Sequence, residues 1–248
     1  MNNKLYRGSY RELMHTIKDE EIDLIVTDPP YRVSSRGSHG NAGGMLKKSS
    51  VRSGRMFVEI PEPAEYAQSF FRVLKDGAHC YVMTNHINLI SMLNAFTSCG
   101  FKFIKCLIWD KGNKIMGQWY MSQFEYILFF RKGRAVRIND CGTSDILSVP
   151  NKKHKRANGE NWHDTEKPVT LMKILVSNSS RVGDVVLDPF FGVGGSAVAA
   201  MELDRVFIGS EIEEDYFKIA QDRVKKYMRN IEIDFSRCRV LEIEFKEE

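Results

Sequence analysis

The chain has 248 residues, of which 43% are hydrophobic and 27% charged, and its net charge at pH 7 is +4. This length predicts one domain, or one domain with a small insertion, that buries a full core. No apolar run reaches the length of a membrane span, and the polar segment 1–4 lacks the features of a signal peptide. The five cysteines are scattered and lack zinc-ligand spacing. We therefore expect reduced thiols, a cytoplasmic location and no membrane anchor.

In chain order, apolar strand patterns alternate with helical ones, which predicts a parallel sheet with helices packed on it. Strands are predicted at 4–6, 22–27, 78–84, 101–109, 124–130, 185–188 and 205–210. Helical periodicity covers 13–17, 66–74, 87–96, 171–175, 196–203 and 216–227. The connection between the fourth and fifth strands allows an antiparallel pair at one sheet edge. Gly77 is expected to end the second helix, and the alternating segment 231–245 to form a terminal hairpin.

Basic residues are concentrated in two segments of this nearly neutral chain. Segment 32–56 has no acid and no periodicity, so we expect a basic mobile loop that becomes ordered on nucleic acid. Segment 132–160 has weak periodicity and is expected to form a small insertion. Together they predict a polyanion-binding face, although solvated basic loops are the alternative. The candidate phosphate-binding residues are Arg32, Arg36, Lys47, Lys48, Arg52, Arg55, Lys152, Lys153, Lys155 and Arg156.

The predicted strand 22–27 ends at the sequence Asp28-Pro29-Pro30-Tyr31. Neither proline can donate a hydrogen bond, so the strand stops there and the loop offers only acceptors. Asp28 and the Pro29 carbonyl are suited to accept the two hydrogens of an exocyclic amine, and Tyr31 to stack on its ring. The alternative is a rigid turn in which Asp28 caps and Tyr31 joins the core.

A second candidate site begins at Asp188, where a strand leads into a glycine-rich turn and a helix. Glu211 follows the next strand and is suited to accept the hydroxyls of a ribose. The turn also fits a dinucleotide fingerprint, which keeps a nicotinamide oxidoreductase open as an alternative. Asp188 argues against that alternative, because a carboxylate there repels a pyrophosphate but attracts an ammonium or a sulfonium. An amine-binding loop and a pocket for a cationic ribose cofactor together predict methyl transfer from S-adenosylmethionine.

At this point the sequence resembles the β-class DNA amino-methyltransferases, in which an Asp-Pro-Pro-Tyr loop precedes an Asp-Pro-Phe-x-Gly-x-Gly loop. The likeness extends from Leu5 to about Tyr227 and includes the segment 163–168. It implies an α/β fold, a circularly permuted Rossmann-like sheet of seven mostly parallel strands with an antiparallel edge pair. It implies that Asp28, Pro29, Pro30 and Tyr31 hold the flipped base. The implied cofactor-binding residues are Asp188, Phe190, Gly192, Gly194, Glu211, Thr165, Lys167 and Ser9.

The sequence departs from this family at two positions. Ser9 stands where members usually have Asp, and Gly195 where they usually have Thr. Both departures are expected to weaken cofactor binding without removing the chemistry. Segment 132–160 is the implied target-recognition insertion within a single catalytic domain.

The resemblance implies methylation of adenine N6 in duplex DNA, because Asp rather than Ser at position 28 favours adenine. Cytosine N4 is the alternative, since the Asp-Pro-Pro-Tyr loop also occurs in cytosine-N4 enzymes. The amine is a poor nucleophile, since its lone pair is delocalised into the ring, and two acceptors pulling on its hydrogens return electron density to nitrogen. No metal is required. A DNA-binding relative without catalysis is a further alternative. A homodimer and a cognate restriction endonuclease are left open as partners.

Overall fold

The computed structural model describes residues 2–31, 60–115, 119–151, 166–232 and 243–246. The ten candidate phosphate-binding residues, all of segment 32–56, residues 152–160 of the second basic segment and Thr165 lie outside these ranges. The strands are β1 Asn3–Arg7, β2 Ile22–Thr27, β3 Leu74–Thr84, β4 Lys102–Ile115, β5 Ser122–Arg131, β6 Ile146–Ser148, β7 Val185–Asp188, β8 Val206–Glu211 and β9 Ile243–Lys246. The helices are α1 Tyr10–Thr16, α2 Pro63–Val73, α3 Leu89–Ser98, α4 Val169–Ser179, α5 Gly195–Glu202 and α6 Glu214–Glu232.

The nine strands of the described ranges join one sheet in the order β6-β4-β5-β3-β2-β7-β8-β1-β9. Strand β5 is antiparallel to β3 and β4, and the other neighbouring pairs are parallel. Two buried clusters cover the two faces: α4, α5 and α6 pack on one, and α1, α2 and α3 on the other. The three-layer α/β fold is therefore confirmed, and so is the antiparallel β4–β5 pair.

The sheet has two more strands than the seven expected. Strand β6, only three residues long, adds to β4, and β9 adds to β1 on the far side. The expected terminal hairpin is wrong at its start, because residues 231–232 still belong to α6 and β9 pairs in parallel with β1. Charged residues alternate with apolar ones in both an amphipathic helix end and a strand, so the pattern did not distinguish them.

Gly77 does not end a helix, contrary to expectation. Helix α2 ends at Val73 and strand β3 begins at Leu74, so that Gly77 lies inside the strand with φ +80°. The register between β2 and β3 shifts between Ile22 and Leu24, which accommodates this irregular start. A glycine with positive φ inside a strand is typical of such an irregularity.

None of the helices in the described ranges combines the length and the apolar character needed to cross a bilayer.

Candidate active site

The two predicted loops meet at neighbouring strand ends. Strands β2 and β7 are paired in parallel, with Leu24 opposite Val186 and Ile25 opposite Leu187. Their carboxyl ends therefore lie side by side, and Thr27 Oγ1 donates to Asp188 Oδ1 over 2.7 Å. The Asp28 loop and the glycine-rich turn therefore converge on one edge of the sheet.

Asp28 is held by a chain of alternating charges. Lys167 forms an ion pair with Asp28 Oδ2 and lies 3.4 Å from Glu125 Oε2. Glu125 Oε1 in turn accepts from Lys111 Nζ over 2.5 Å. Both ammonium groups lie over the ring of Trp109, at 5.9 Å for Lys167 and 5.2 Å for Lys111. The four charges sum to zero, which is how ionised groups are tolerated in a partly dry site.

The directions of the pKa shifts show how these charged groups act on one another. Burial raises the pKa of the Asp28 carboxyl, and the ammonium of Lys167 opposes that shift. Burial would lower the pKa of Lys167, but the carboxylates of Asp28 and Glu125 outweigh it and raise the pKa well above its ordinary range. Burial acts against the charge of Glu125 as well, yet Lys167 and Lys111 bring its pKa below the usual range. Lys167 is therefore a permanent cation that opposes the rise in the Asp28 pKa caused by burial.

One oxygen of Asp28 is left for a substrate. Within the described part of the chain, Oδ1 is buried and accepts no hydrogen bond, whereas Oδ2 is bound by Lys167. The side chain keeps 19% of its surface accessible. A buried acceptor without a donor is costly unless a ligand supplies the donor. Tyr31 is half-buried beside it, and burial raises the pKa of its hydroxyl, so its ring is neutral.

Asp188 is the buried carboxylate of the second candidate site. Its Oδ1 accepts from Thr27 and from the Phe190 N–H, and its Oδ2 accepts from Ser196 Oγ over 2.5 Å. Burial raises the pKa of Asp188 to about 6, although these three donors oppose the shift. Asp188 is thus a carboxylate fixed by short bonds at neutral pH.

Glu211 stands at the end of β8 on the same edge. It accepts from the Gly192 N–H over 2.9 Å and from the Glu213 N–H over 2.8 Å. Burial raises its pKa to about 7, against these two bonds. A Cβ built on Gly192 meets no described atom within 4 Å, so open space adjoins this loop. Glu211 beside this open space, with the buried Asp188 carboxylate on the same sheet edge, fits a cationic, ribose-bearing cofactor.

The glycine-rich turn is packed tightly against the segment before α4. A Cβ on Gly195 would lie 2.8 Å from the Lys167 carbonyl oxygen, so the departure to glycine at this position lets the two backbones approach. Arg223 of α6 donates to the Val193 carbonyl over 2.8 Å and pairs with Glu166 at 3.1 Å. This ion pair is almost wholly buried, with side chains 9% and 2% exposed. Arg223 thereby ties the glycine-rich turn to the segment that carries Lys167.

Several candidates have local structural roles. Ser9 caps α1, accepting from the Arg11 N–H in a capping box with Glu12. Phe190 packs on the ring of Tyr10, with centroids 5.0 Å apart, so its ring supports the loop from behind. Asn85, which follows β3, accepts from the N–H groups of residues 87 and 88 and caps the turn before α3.

Lys167 was expected to line the cofactor site at a helix start. The structure instead places its ammonium group on Asp28, while α4 begins at Val169 with Pro168 as its N-cap. Glu125, Lys111 and Arg223 were not identified from the sequence. An acid next to an aromatic residue at a strand start, as in the sequence Phe124-Glu125-Tyr126, was the available signal for Glu125.

Comparison with known proteins agrees with this geometry. The family model N6_N4_Mtase, described as DNA methylase, matches residues 22–222. The Type II methyltransferase M2.LlaDCHI of Lactococcus lactis subsp. cremoris is 28% identical over 239 residues, covering 87% of this chain and 86% of the relative. The crystal structure of an M1.HpyAVI–SAM complex aligns with TM-score 0.65 and 21% identity over 89% of this chain and 98% of that one. The cytosine-N4-specific PvuII DNA methyltransferase aligns with TM-score 0.70 and 16% identity over 93% and 91%.

The two structural alignments establish the shared fold, and the family model spans both loops and the strands that carry Asp28, Asp188 and Glu211. The predictions of a methyltransferase and of S-adenosylmethionine as its cofactor are confirmed. The chain belongs to the N6/N4 DNA methylase family and is an S-adenosylmethionine-dependent DNA methyltransferase.

Proposed function

We propose that this methyltransferase modifies the N6 amine of an adenine flipped out of duplex DNA, in a site-specific manner. The observation that carries the proposal is the buried Asp28 Oδ1, an acceptor without a donor on the same strand edge as the Asp188 pocket. A base amine presented there would supply the missing hydrogen. The target atom lies inside a duplex, so the base must leave the stack to reach this edge.

In the proposed mechanism Asp28 Oδ1 accepts one hydrogen of the amine and the Pro29 carbonyl accepts the other, which raises electron density on nitrogen. Tyr31 stacks on the ring and sets its plane. Lys167 holds the second Asp28 oxygen, so the carboxylate cannot rotate away from the amine. Positioning and electrostatics then serve the in-line displacement, and the proton that the amine must lose passes from nitrogen towards Asp28 Oδ1.

The cofactor would be held by Asp188 and Glu211 around the glycine-rich turn, Asp188 facing its cationic part and Glu211 its ribose. When bound, it supplies the electrophilic methyl group. The chain's own contribution is a fixed acceptor pair, Asp188 with its three donors and Glu211 with its two backbone donors, so little reorganisation is needed on binding.

The two basic segments are proposed to grip the DNA phosphates while the base is flipped. Segment 32–56 follows directly on Tyr31, and segment 132–160 leads towards Glu166 and Lys167. Both therefore adjoin residues of the candidate active site in the chain. A cytoplasmic location, a homodimer and a cognate restriction endonuclease stay predictions.

The proposal is tested by product analysis. Unmethylated genomic DNA is incubated with the protein and S-adenosylmethionine labelled in the methyl group, and the DNA is then digested to nucleosides. We expect label in N6-methyladenine, with none in a reaction lacking protein. Label in N4-methylcytosine would move the assignment to cytosine, and DNA without label would reject amino-methylation.

Cofactor binding should depend on pH through Glu211. Ribose hydroxyls donate hydrogen bonds to the Glu211 carboxylate, and protonation of Glu211 removes one of these acceptors. The pKa of Glu211 is about 7, so the affinity for S-adenosylmethionine is expected to rise between about pH 6 and 8. Stability moves the opposite way, because the folded-state pKa lies above the ordinary 4.5: the stabilisation from protonated Glu211 is complete below pH 4.5 and is lost as pH rises through 7. Calorimetric titration of the DNA-free protein with S-adenosylmethionine measures the affinity.

The matched control for this titration is Glu214→Gln, which changes an exposed acid just after the same strand. Glu211→Gln should bind weakly at every pH and lose the part of the pH dependence that is centred near pH 7, leaving the part near pH 6 that comes from Asp188, whereas Glu214→Gln should keep the profile of the parent. A parent profile that is flat between pH 6 and 8 contradicts the assignment of Glu211 to the ribose.

A further inference from the structure

The connection between β4 and β5 exposes large apolar side chains. Trp119 is 87% exposed, Tyr120 95%, Met121 56% and Phe124 43%. Together with the exposed Lys114 of β4 we call these residues the hairpin surface. Trp119 and Tyr120 are the most exposed large hydrophobic residues of the described chain. Neighbouring aromatic side chains left in water in this way are typical of a binding surface.

The hairpin surface lies beyond the catalytic edge of the sheet. Strand β5 runs antiparallel to β3, so its beginning lies at the carboxyl end of β3, beside the carboxyl end of β2. Glu125, near that beginning, is 3.4 Å from Lys167, which holds Asp28. Residues that precede Glu125 continue outward, and at about 3.4 Å per residue Ser122 lies roughly 10 Å further along the strand. The hairpin therefore projects from the active site towards its substrate.

The charge of the hairpin selects the kind of substrate. Residues 112–124 contain one lysine, the exposed Lys114, and no aspartate or glutamate, whereas Lys111 is buried against Glu125. Aromatic rings stack on nucleobases regardless of sequence, and lysines beside them neutralise phosphates. The hairpin has exposed aromatic rings and a lysine, and it adjoins the site proposed to bind a flipped base. These features fit a contact with duplex DNA at the position that the base has left.

We propose that Trp119 and Tyr120 insert beside the target nucleotide and stack on the bases that flank it. Flipping a base leaves its neighbours without one stacking partner. Aromatic side chains at that place replace the lost stacking and stabilise the flipped state, while Lys114 contacts a nearby phosphate. This inference rests on the proposed function, because it requires a duplex with one base in the active site.

The test compares four variants by DNA binding and by methyl transfer, one of them Lys114→Ala, which removes the positive charge. Trp119→Ala/Tyr120→Ala removes the rings, Trp119→Phe/Tyr120→Phe keeps flat rings, and Val182→Ala changes an exposed apolar residue before β7, at the opposite sheet edge. The protein is titrated into short fluorescein-labelled duplexes of the unmethylated genomic DNA at several salt concentrations. Fluorescence anisotropy measures the binding. Calorimetry with S-adenosylmethionine and light scattering report cofactor binding and oligomeric state.

We expect the alanine pair to bind DNA at least about thirtyfold more weakly, since stacking is lost at two rings. Its salt dependence should be unchanged because no charge is removed, and its affinity for S-adenosylmethionine should match the parent. The phenylalanine pair and Val182→Ala should resemble the parent. Lys114→Ala should lower the slope of log affinity against log salt by about one.

Three results would overturn the inference. If the alanine pair binds and methylates DNA like the parent, the rings do not stack on bases, although the proposed function stands. If the parent is a dimer and the alanine pair is a monomer with unchanged DNA affinity, the hairpin surface joins two copies of the chain. If the parent neither binds nor methylates DNA, the proposed function fails and the inference with it.

Discussion

Asp28→Asn is expected to reduce methyl transfer by a factor of about 10² to 10³, the usual cost of one preorganised polar group at a reacting centre. Lys167 binds one carboxylate oxygen, so the amide must turn its carbonyl towards that ammonium. The –NH₂ group of the new side chain then occupies the place of Oδ1 and faces the amine of the base. A donor would meet a donor, and the acceptor that activates the nitrogen is lost.

Steady-state methyl transfer to unmethylated DNA measures this loss, and calorimetry should show S-adenosylmethionine affinity within about twofold of the parent. Cofactor affinity is retained because Asp188 and Glu211 keep their own donors. Asp145→Asn is the control, since Asp145 is an exposed acid paired with Lys105 at 3.0 Å. Equal incorporation by the parent and by Asp28→Asn would remove Asp28 from the mechanism.

The convergence of the two loops could be predicted because it depends on topology alone. Asp28 and Asp188 each follow an apolar strand of an alternating β/α pattern, and parallel strands bring their carboxyl ends to one edge. The hydrogen bond from Thr27 to Asp188 is the local expression of that rule. Periodicity and turn residues close to Asp28 and Asp188 in the sequence are enough to predict where these two strands end.

The partner that completes the catalytic centre could not be predicted in this way. Among the described strands, Glu125 belongs to the one that is antiparallel to its neighbours. The beginning of this strand, rather than its end, therefore lies at the catalytic edge of the sheet. A search for polar residues after strands passes over it. Lys111 lies within β4 and is brought to Glu125 only by the register of the antiparallel pair. Both depend on contacts between distant segments that no local pattern encodes.

Strand β6 and the position of Gly77 were not predicted from the sequence for a different reason. Strand β6 has three residues, too few for an alternation pattern, and it is placed by hydrogen bonds to β4. Gly77 is a typical helix-ending residue, yet β3 uses its positive φ within an irregular strand start. A glycine reports only which backbone conformations are allowed, and tertiary pairing decides which of them is used.

The charge chain and the glycine-rich turn act as one unit. Lys167 contributes its ammonium group to Asp28 and its carbonyl to the close approach at Gly195. Glu166, its neighbour, is fixed by Arg223, which also holds the turn at Val193. The segment before α4 therefore sets the distance between the acceptor for the base and the pocket for the methyl donor. A change at Lys167 should disturb both stability and catalysis.

Lys167→Met is expected to destabilise the protein by on the order of 3 kcal/mol, because it leaves Asp28 and Glu125 as partly buried carboxylates without their shared cation. Lys105→Met, at an exposed ion pair, should change the free energy of unfolding by less than about 1 kcal/mol. Urea denaturation measures both. A Lys167→Met protein as stable as the parent would contradict the assignment of Lys167 as the charge that balances the site.

The same variant should shift the pH dependence of catalysis in a defined direction. Burial already raises the pKa of Asp28, and the Lys167 ammonium is the main group that opposes the shift. Without it Asp28 stays protonated to higher pH, so methyl transfer should fall sharply at neutral pH and recover in part as pH rises.

Adding Glu125→Gln to Lys167→Met removes the neighbouring negative charge and should move the recovery of methyl transfer back towards lower pH. The double-mutant cycle gives the coupling energy between the two positions. Identical pH profiles for Lys167→Met with and without Glu125→Gln would show that the two carboxylates do not interact, and the charge chain would then have no part in activating Asp28.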